Sequence, residues 1–341
     1  MKKSLIALAV LAASGAAMAQ SSVTLFGVVD AGYAVGKGAT NKTQLATDRI
    51  GSSRLGFRGV EDLGGGMRAE FWLEAGVGND SGAGANTNTN NQATGATTSG
   101  LTFNRKSTVG LVGSMGEIRL GRDYSPQFYP DAQYDPFGTN GVASSLIAYG
   151  GGFAAVRASN MVAYHSPNVG GFTVMLGSYM GENNTGAAAG KAGDGNGIHV
   201  RYAKGPLALG IASATTKTGL TTEVKTSTMG GSYNLGVANV MFNSNTVSNT
   251  GAADIKGTLI GAAIPMAGGT FKLSNASLKQ GAAETKRNAI GYVKPLSKRT
   301  SLFATYARNG NSGGAARGLN GATVNANQSS TGYDLGVNHT F

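Results

Sequence analysis

The sequence predicts an all-β fold, a 16-stranded antiparallel transmembrane β-barrel behind a cleaved leader. Three observations carry that expectation. Apolar and polar residues alternate with a period of two along most of the chain, and short connections alternate with long ones. After the leader, no segment holds the roughly 18 uninterrupted apolar residues that a membrane helix needs.

The leader comes first. Lys2 and Lys3 open it, Leu5 to Ala13 is apolar, and Ala17-Met18-Ala19 is a small-x-small cleavage signature. The apolar run is too short to anchor the chain, and Gly15 interrupts its end. Residues 1–19 therefore read as a signal peptide and 20–341 as the barrel domain. A barrel strand needs only about ten residues with alternate ones apolar, which suits a mean hydropathy of −0.08.

The strands follow. Val23, Leu25, Val29 and Tyr33 alternate with Thr24, Asp30 and Gly32, and Ala69, Phe71 and Leu73 with Arg68, Glu70, Trp72 and Glu74. Ile198, Val200 and Tyr202 alternate with His199, Arg201 and Ala203, and Tyr333, Leu335, Val337, His339 and Phe341 with Asp334, Gly336, Asn338 and Thr340. Each set occupies one face of a sheet. Seven connections look like short turns, at 61–66, 113–116, 167–171, 203–206, 233–236, 265–269 and 295–299. Eight look longer or more polar, near 36–48, 79–100, 123–152, 182–197, 215–223, 243–254, 280–286 and 309–330. The two kinds alternate, which gives sixteen strands, both termini on the turn side and long loops on the opposite rim. Prolines fall in turns or in one long loop, where no ladder hydrogen bond is lost.

A soluble β-sandwich also alternates, but it would bury faces rich in Arg, Glu, Asp and Asn. In a large barrel those faces meet water. Composition narrows the function. The 341 residues include 55 Gly, 3 His and no Cys, with a formal net charge of +11. Disulfides, thiolate metal sites and cysteine nucleophiles are excluded; no metal or cofactor is implied. A lipase barrel needs a paired Ser and His on one wall. His165 lies by a turn, His199 alternates inward and His339 outward. No phosphate-loop motif occurs, and scattered basic residues without a recognition element give no sign of nucleic-acid binding.

Five segments then resemble a family. SVTLFGVVDAGY (22–33), SRLGFRGVEDLGGGMRAEFWLE (53–74), FNRKSTVGLVGSMGEIRLGRDYSP (103–126), VRASNMVAYHSP (156–167) and YDLGVNHTF (333–341) occur in the order seen in the trimeric general porins of the Gram-negative outer membrane, especially those of β-proteobacteria. The chain resembles that family over its whole mature length. The resemblance implies short periplasmic turns, long extracellular loops and a third loop folded into the lumen. It also implies a homotrimer in the bacterial outer membrane, in contact with outer-membrane lipid and lipopolysaccharide. The function implied is passive permeation of ions and small hydrophilic solutes through a water-filled channel. A substrate-specific channel is the alternative, followed by a non-conducting structural or adhesin barrel; sixteen strands enclose more space than side chains fill.

The site implied by the resemblance is a constriction between loop acids and a basic wall. The loop acids are Asp123, Asp131 and Asp135, in a loop that also carries Phe128, Tyr129, Tyr134 and Phe137. The wall is Arg54, Arg58, Arg105 and Arg157, and Asp30, Arg68, Glu70, Glu74, Glu117 and Arg119 are further lumen-facing charges. Strict alternation from Leu101 and Phe103 points Arg105 outward and Lys106 inward. Charge at mid-bilayer costs about 2–4 kcal/mol, so a register change near Asn104 is expected to turn Arg105 in and leave Lys106 to snorkel to the rim. A lysine that some relatives carry in strand 1 is replaced here by Val28. Alternation also points the single Trp72 into the lumen instead of the lipid belt. The positive charge suggests a mild anion preference, and the terminal Phe341 matches the residue that the resemblance assigns to the barrel-assembly machinery.

Overall fold

A computed structural model describes residues 22–92, 97–98, 100–145, 154–184, 186–187 and 189–341; the expected leader lies outside them. Sixteen long strands form the wall. They are β1 (Ser22–Lys37), β2 (Arg54–Gly64), β3 (Met67–Gly78), β4 (Lys106–Gly113), β5 (Gly116–Tyr124), β6 (Arg157–His165), β7 (Phe172–Tyr179) and β8 (Gly195–Lys204). The remainder are β9 (Leu207–Lys217), β10 (Glu223–Asn234), β11 (Asn239–Asn249), β12 (Ile255–Met266), β13 (Gly269–Gln280), β14 (Ala283–Pro295), β15 (Thr300–Ser312) and β16 (Ser330–Thr340). Each pairs antiparallel with the next. β16 closes on β1 from Val28↔Thr340 to Lys37↔Thr331, and Phe341 exchanges two backbone hydrogen bonds with Gly27. Two short strands, Lys42–Thr47 on β1 and Ala83–Gly84 on β3, complete the eighteen-stranded sheet.

The period of two inverts the usual globular pattern. Val109, Leu111, Ile211, Ile260 and Tyr306 stand exposed on the outside, where lipid covers them. Asp30, Glu74, Asn245, Arg287 and Asn309 are buried on the inside. The turn-side rim is as the sequence suggests. The opposite rim is uneven: 38–53, 79–105, 125–156, 180–194 and 313–329 are long, 218–222 and 250–254 are short, and the connection expected over 280–286 is a tight turn at 281–282. Gly281, at φ +59°, makes that reversal, and Gln280 pairs directly with Ala283.

Packing inside the barrel is built around the third loop, which carries a short helix, α1 (Phe128–Gln133). Much of the glycine serves this contact. A Cβ at Gly197 would lie 3.2 Å from Pro126 Cγ, one at Gly230 2.6 Å from the Tyr134 ring, and one at Gly261 2.6 Å from Pro136 Cγ. Missing side chains on β8, β10 and β12 thus make a track that seats the loop against the wall. At its start Tyr129 packs on Ala158, Met161 and Met175, and farther on Phe137, Val142 and Ala143 pack on Ala289, Ala307 and Leu319.

Candidate pore constriction

The basic wall is assembled by the β2–β3 hairpin and the strands after it. The hairpin register sets Arg54 opposite Gly76 and Arg58 opposite Trp72. Alternation turns Arg54, Arg58, Arg68, Glu70, Trp72 and Glu74 to the inside. Glu74, only 6% exposed, joins the group: its Oε1 accepts from Arg105 Nε at 2.6 Å and from Arg54 Nη1 at 3.2 Å, and its Oε2 from Trp72 Nε1 at 3.2 Å. Arg58 is exposed to the lumen. It stacks 5.4 Å from the Trp72 centroid and 5.6 Å from that of Phe26, with no carboxylate partner among the described residues. Trp72 therefore serves as a platform for cations, which accounts for its inward direction.

Arg105 and Lys106 both face inward, so the expectation that Lys106 snorkels to the rim is overturned. β4 begins only at Lys106, and the Asn104 side chain takes the ladder position by accepting from Gly76 N at 2.8 Å. Freed from strand geometry, Arg105 turns to Glu74, while Lys106 keeps its alternation. Lys106 Nζ reaches Asp123 at 2.9 Å and lies 5.0 Å from the Trp72 centroid. Arg157 donates to the Arg105 carbonyl at 2.8 Å and lies over the Tyr124 ring at 4.7 Å.

The acids are arranged differently from the expectation. Asp123 belongs to β5, not to the loop, and is neutralised by Lys106 and by Arg119 at 2.6 Å, which also holds Glu117 at 2.7 Å. Asp131 projects from α1 into the opposite wall, where Asn245 Nδ2 donates to it at 3.3 Å. Burial lifts the Asp131 carboxyl well above the usual carboxylate range, and nearby Asp135 adds to the rise. Asp135 caps its own loop, accepting from the backbone of Phe137 and Thr139 at 2.8 and 2.9 Å. Asp30 lies on the inner face but is sealed, accepting from Arg49 N, Ile50 N, Gly51 N and Asn338 Nδ2 at 2.6 to 3.1 Å. Arg68 and Glu70 form an exposed pair nearer the turn side, at 2.5 Å.

Farther along, the loop is clamped to β16 and β14. Asp334 Oδ2 accepts from Val142 N at 2.8 Å, and Arg287 Nη1 donates to Ser144 O at 2.5 Å. Lys106, Tyr124 and Arg287 lie outside the expected site. Alternation alone marks Lys106 and Arg287 as inward, whereas the Tyr124 stack depends on the loop path and leaves no local signal. Along the wall, Thr24, Arg58, Trp72, Lys106, Glu117 and Arg119 line a recess of about 390 Å³. Among the described residues no cluster of His, Cys, Asp or Glu could hold a metal ion.

Comparison with known proteins gives concordant matches. A family model described as Gram-negative porin matches residues 5–314. The chain is 40% identical to outer membrane porin protein 32 of Delftia acidovorans, with all of both chains covered. It is 28% identical to an outer membrane porin protein of Bordetella pertussis, over 91% of this chain and 95% of that one. Among solved structures, the anion-selective porin from Comamonas acidovorans superposes with a TM-score of 0.83 at 34% identity, covering 94% of this chain and all of that one. The trimer form of OmpT from Vibrio cholerae superposes with a TM-score of 0.63 at 12% identity, covering 94% and 99%.

Proposed function

The chain belongs to the Gram-negative porin family, and from that premise we propose how its wall and third loop make an outer-membrane diffusion channel that favours anions. One observation carries the reading: the two sides of the constriction are electrically unequal. Arg58 stands exposed over Trp72 with no carboxylate partner among the described residues, and Arg54 and Arg105 share the single carboxylate of Glu74. The loop acids Asp131 and Asp135 are buried against the far wall and in the loop itself. An incoming anion meets cations first, and the field in a narrow slot with low-dielectric walls is focused on it. Guanidinium groups hold their charge at every relevant pH. The relative from Comamonas acidovorans, described as anion-selective, supports the same sign.

In this reading residues 1–19 are removed on export, and three copies assemble in the outer membrane, as the OmpT trimer form suggests by likeness of fold. The paired backbone of Phe341 and Gly27 suits a terminal strand that closes last, with Phe341 as the residue presented to the assembly machinery. The test is planar-bilayer recording of the refolded mature chain across a potassium chloride gradient. A reversal potential of the sign set by chloride is expected; one set by potassium overturns the anion reading.

A further inference from the structure

Where the third loop meets β8 and β9, three buried polar atoms lie together without a hydrogen-bond partner. They are Arg201 Nε, His199 Nε2 and Tyr134 Oη. The register of β8 on β9 sets Arg201 directly across from Gly210, on the inner face. A Cβ on Gly210 would lie 3.3 Å from His199 Nε2 and 3.3 Å from Tyr134 Oη, so the two atoms converge over that glycine. His199 is 6% exposed and Tyr134 2%. Both rings are held in place. Tyr129 stacks on His199 with centroids 5.3 Å apart and 8° between the planes. The Tyr134 ring rests on Gly210 and Gly230, where a Cβ would come within 3.0 and 2.6 Å of it. Burial pushes the Tyr134 phenol up, and nearby Arg201 draws it part of the way back. No carboxylate pairs with Arg201 among the described residues. Buried polar groups in folded proteins find partners, and here three are left open at one place.

We propose that Arg201, His199 and Tyr134 bind one small inorganic anion of halide size, which bridges the third loop to the barrel wall. The chemistry of the three groups selects the occupant. Arg201 brings a permanent positive charge. Its Nε–H, the Tyr134 hydroxyl and the Nε2–H tautomer of His199 bring three donors, and hydrogen bonds to an ionised partner are the strong ones. A cation would meet the guanidinium charge, and a water would add two protons to a group already supplied with them. The stacked rings of Tyr129 and Tyr134 leave no room for a large organic anion. This site lies apart from the wall of Arg54, Arg58 and Arg105. The inference rests on the docked loop and not on permeation.

The test uses crystals of the refolded mature chain grown in sodium bromide, with anomalous diffraction at the bromine edge as the readout. A peak bounded by Arg201, His199 and Tyr134 is expected in the parent and in R58Q, and its loss in R201Q and in Y134F. Y134F keeps the ring on its glycines, and heat-modifiable migration reports folding of each variant. In solution, thermal unfolding in sodium chloride is compared with sodium gluconate at equal ionic strength. The parent is expected to unfold at a higher temperature in chloride, because a ligand of the folded state stabilises it. R201Q is expected to lose that difference. Absence of the peak in the parent, or its persistence in R201Q and Y134F, overturns the proposal. So does its loss in R58Q, which assigns the ion to the main wall. A bromide peak with equal parent midpoints in chloride and gluconate means binding at crystal concentration only and overturns it as well.

Discussion

Arg105 Nε lies 2.6 Å from Glu74 Oε1, and the same oxygen accepts Arg54 Nη1 at 3.2 Å. One buried carboxylate therefore ties β2 and β3 to the residue that leads into β4, and it offsets part of the positive wall. Replacing it by the neutral amide, Glu74→Gln, is expected to raise the chloride-to-potassium permeability ratio by about twofold or more, because each unit charge acts through low-dielectric walls. Reversal potentials across a salt gradient measure this; an unchanged or lowered ratio rejects the assignment of Glu74 as the offsetting charge.

Arg105 and Arg58 should separate stability from selectivity. Arg105→Ala leaves Glu74 buried beside a single remaining cation, Arg54, with the Trp72 N–H as its only other donor among the described residues, and breaking such a group costs about 3–5 kcal/mol. Arg58→Ala removes an exposed cation over two rings, worth about 0.5–1 kcal/mol to folding, yet takes an unpaired charge from the lumen. Thermal unfolding in detergent should rank Arg105→Ala well below Arg58→Ala. Bilayer recording should show a clear fall in anion preference for Arg58→Ala. Equal unfolding midpoints for the two variants would contradict this division.

Asp131 makes the docking of the loop sensitive to pH. Its carboxyl is raised above the ordinary 3.8 by burial, so the docked loop keeps a proton that the unfolded chain releases. The stabilisation is complete below 3.8 and is lost as pH rises through the raised value. Asp131→Asn should abolish this slope while keeping an amide beside Asn245. Unfolding midpoints compared between pH 4 and pH 8 are expected to fall more for the parent than for Asp131→Asn. Parallel curves would show that Asp131 does not titrate in that window.

The glycine track is testable at Gly261, where a Cβ would come within 2.6 Å of Pro136 Cγ. Proline is stiff and the wall is a closed ladder, so Gly261→Val should push the loop from its seat. Overpacking of this kind costs about 1–3 kcal/mol. Single-channel conductance is expected to rise as the lumen widens, with anion preference reduced. An unaltered conductance in a folded variant would mean that the loop does not narrow the pore at this point.

Much of this molecule is legible without coordinates. The alternation of Phe71 and Leu73 with Trp72 and Glu74 depends only on the pleat, and so does the inward course of Trp72. The seven turns are marked by Gly and Pro. The loop acids are not legible: nothing local distinguishes an Asp131 facing open water from one driven into Asn245 on a strand over a hundred residues away. Lys106 is misplaced when the cost of burying charge in lipid is weighed for one residue at a time. The two-residue turn at 281–282 is obscured by the polar residues around it, although Gly281 marks the place.

The uneven rim has a consequence for traffic at the cell surface. From β9 to β14 the extracellular connections are short, at 218–222, 250–254 and 281–282, while the remaining ones are longer and the third turns into the lumen. The rim therefore carries little chain on one flank and most of it on the other. Solutes drifting laterally over the bacterial surface meet the least chain on the short-looped flank, so large molecules lodged there would block uptake more effectively than equal ligands on the long-looped side.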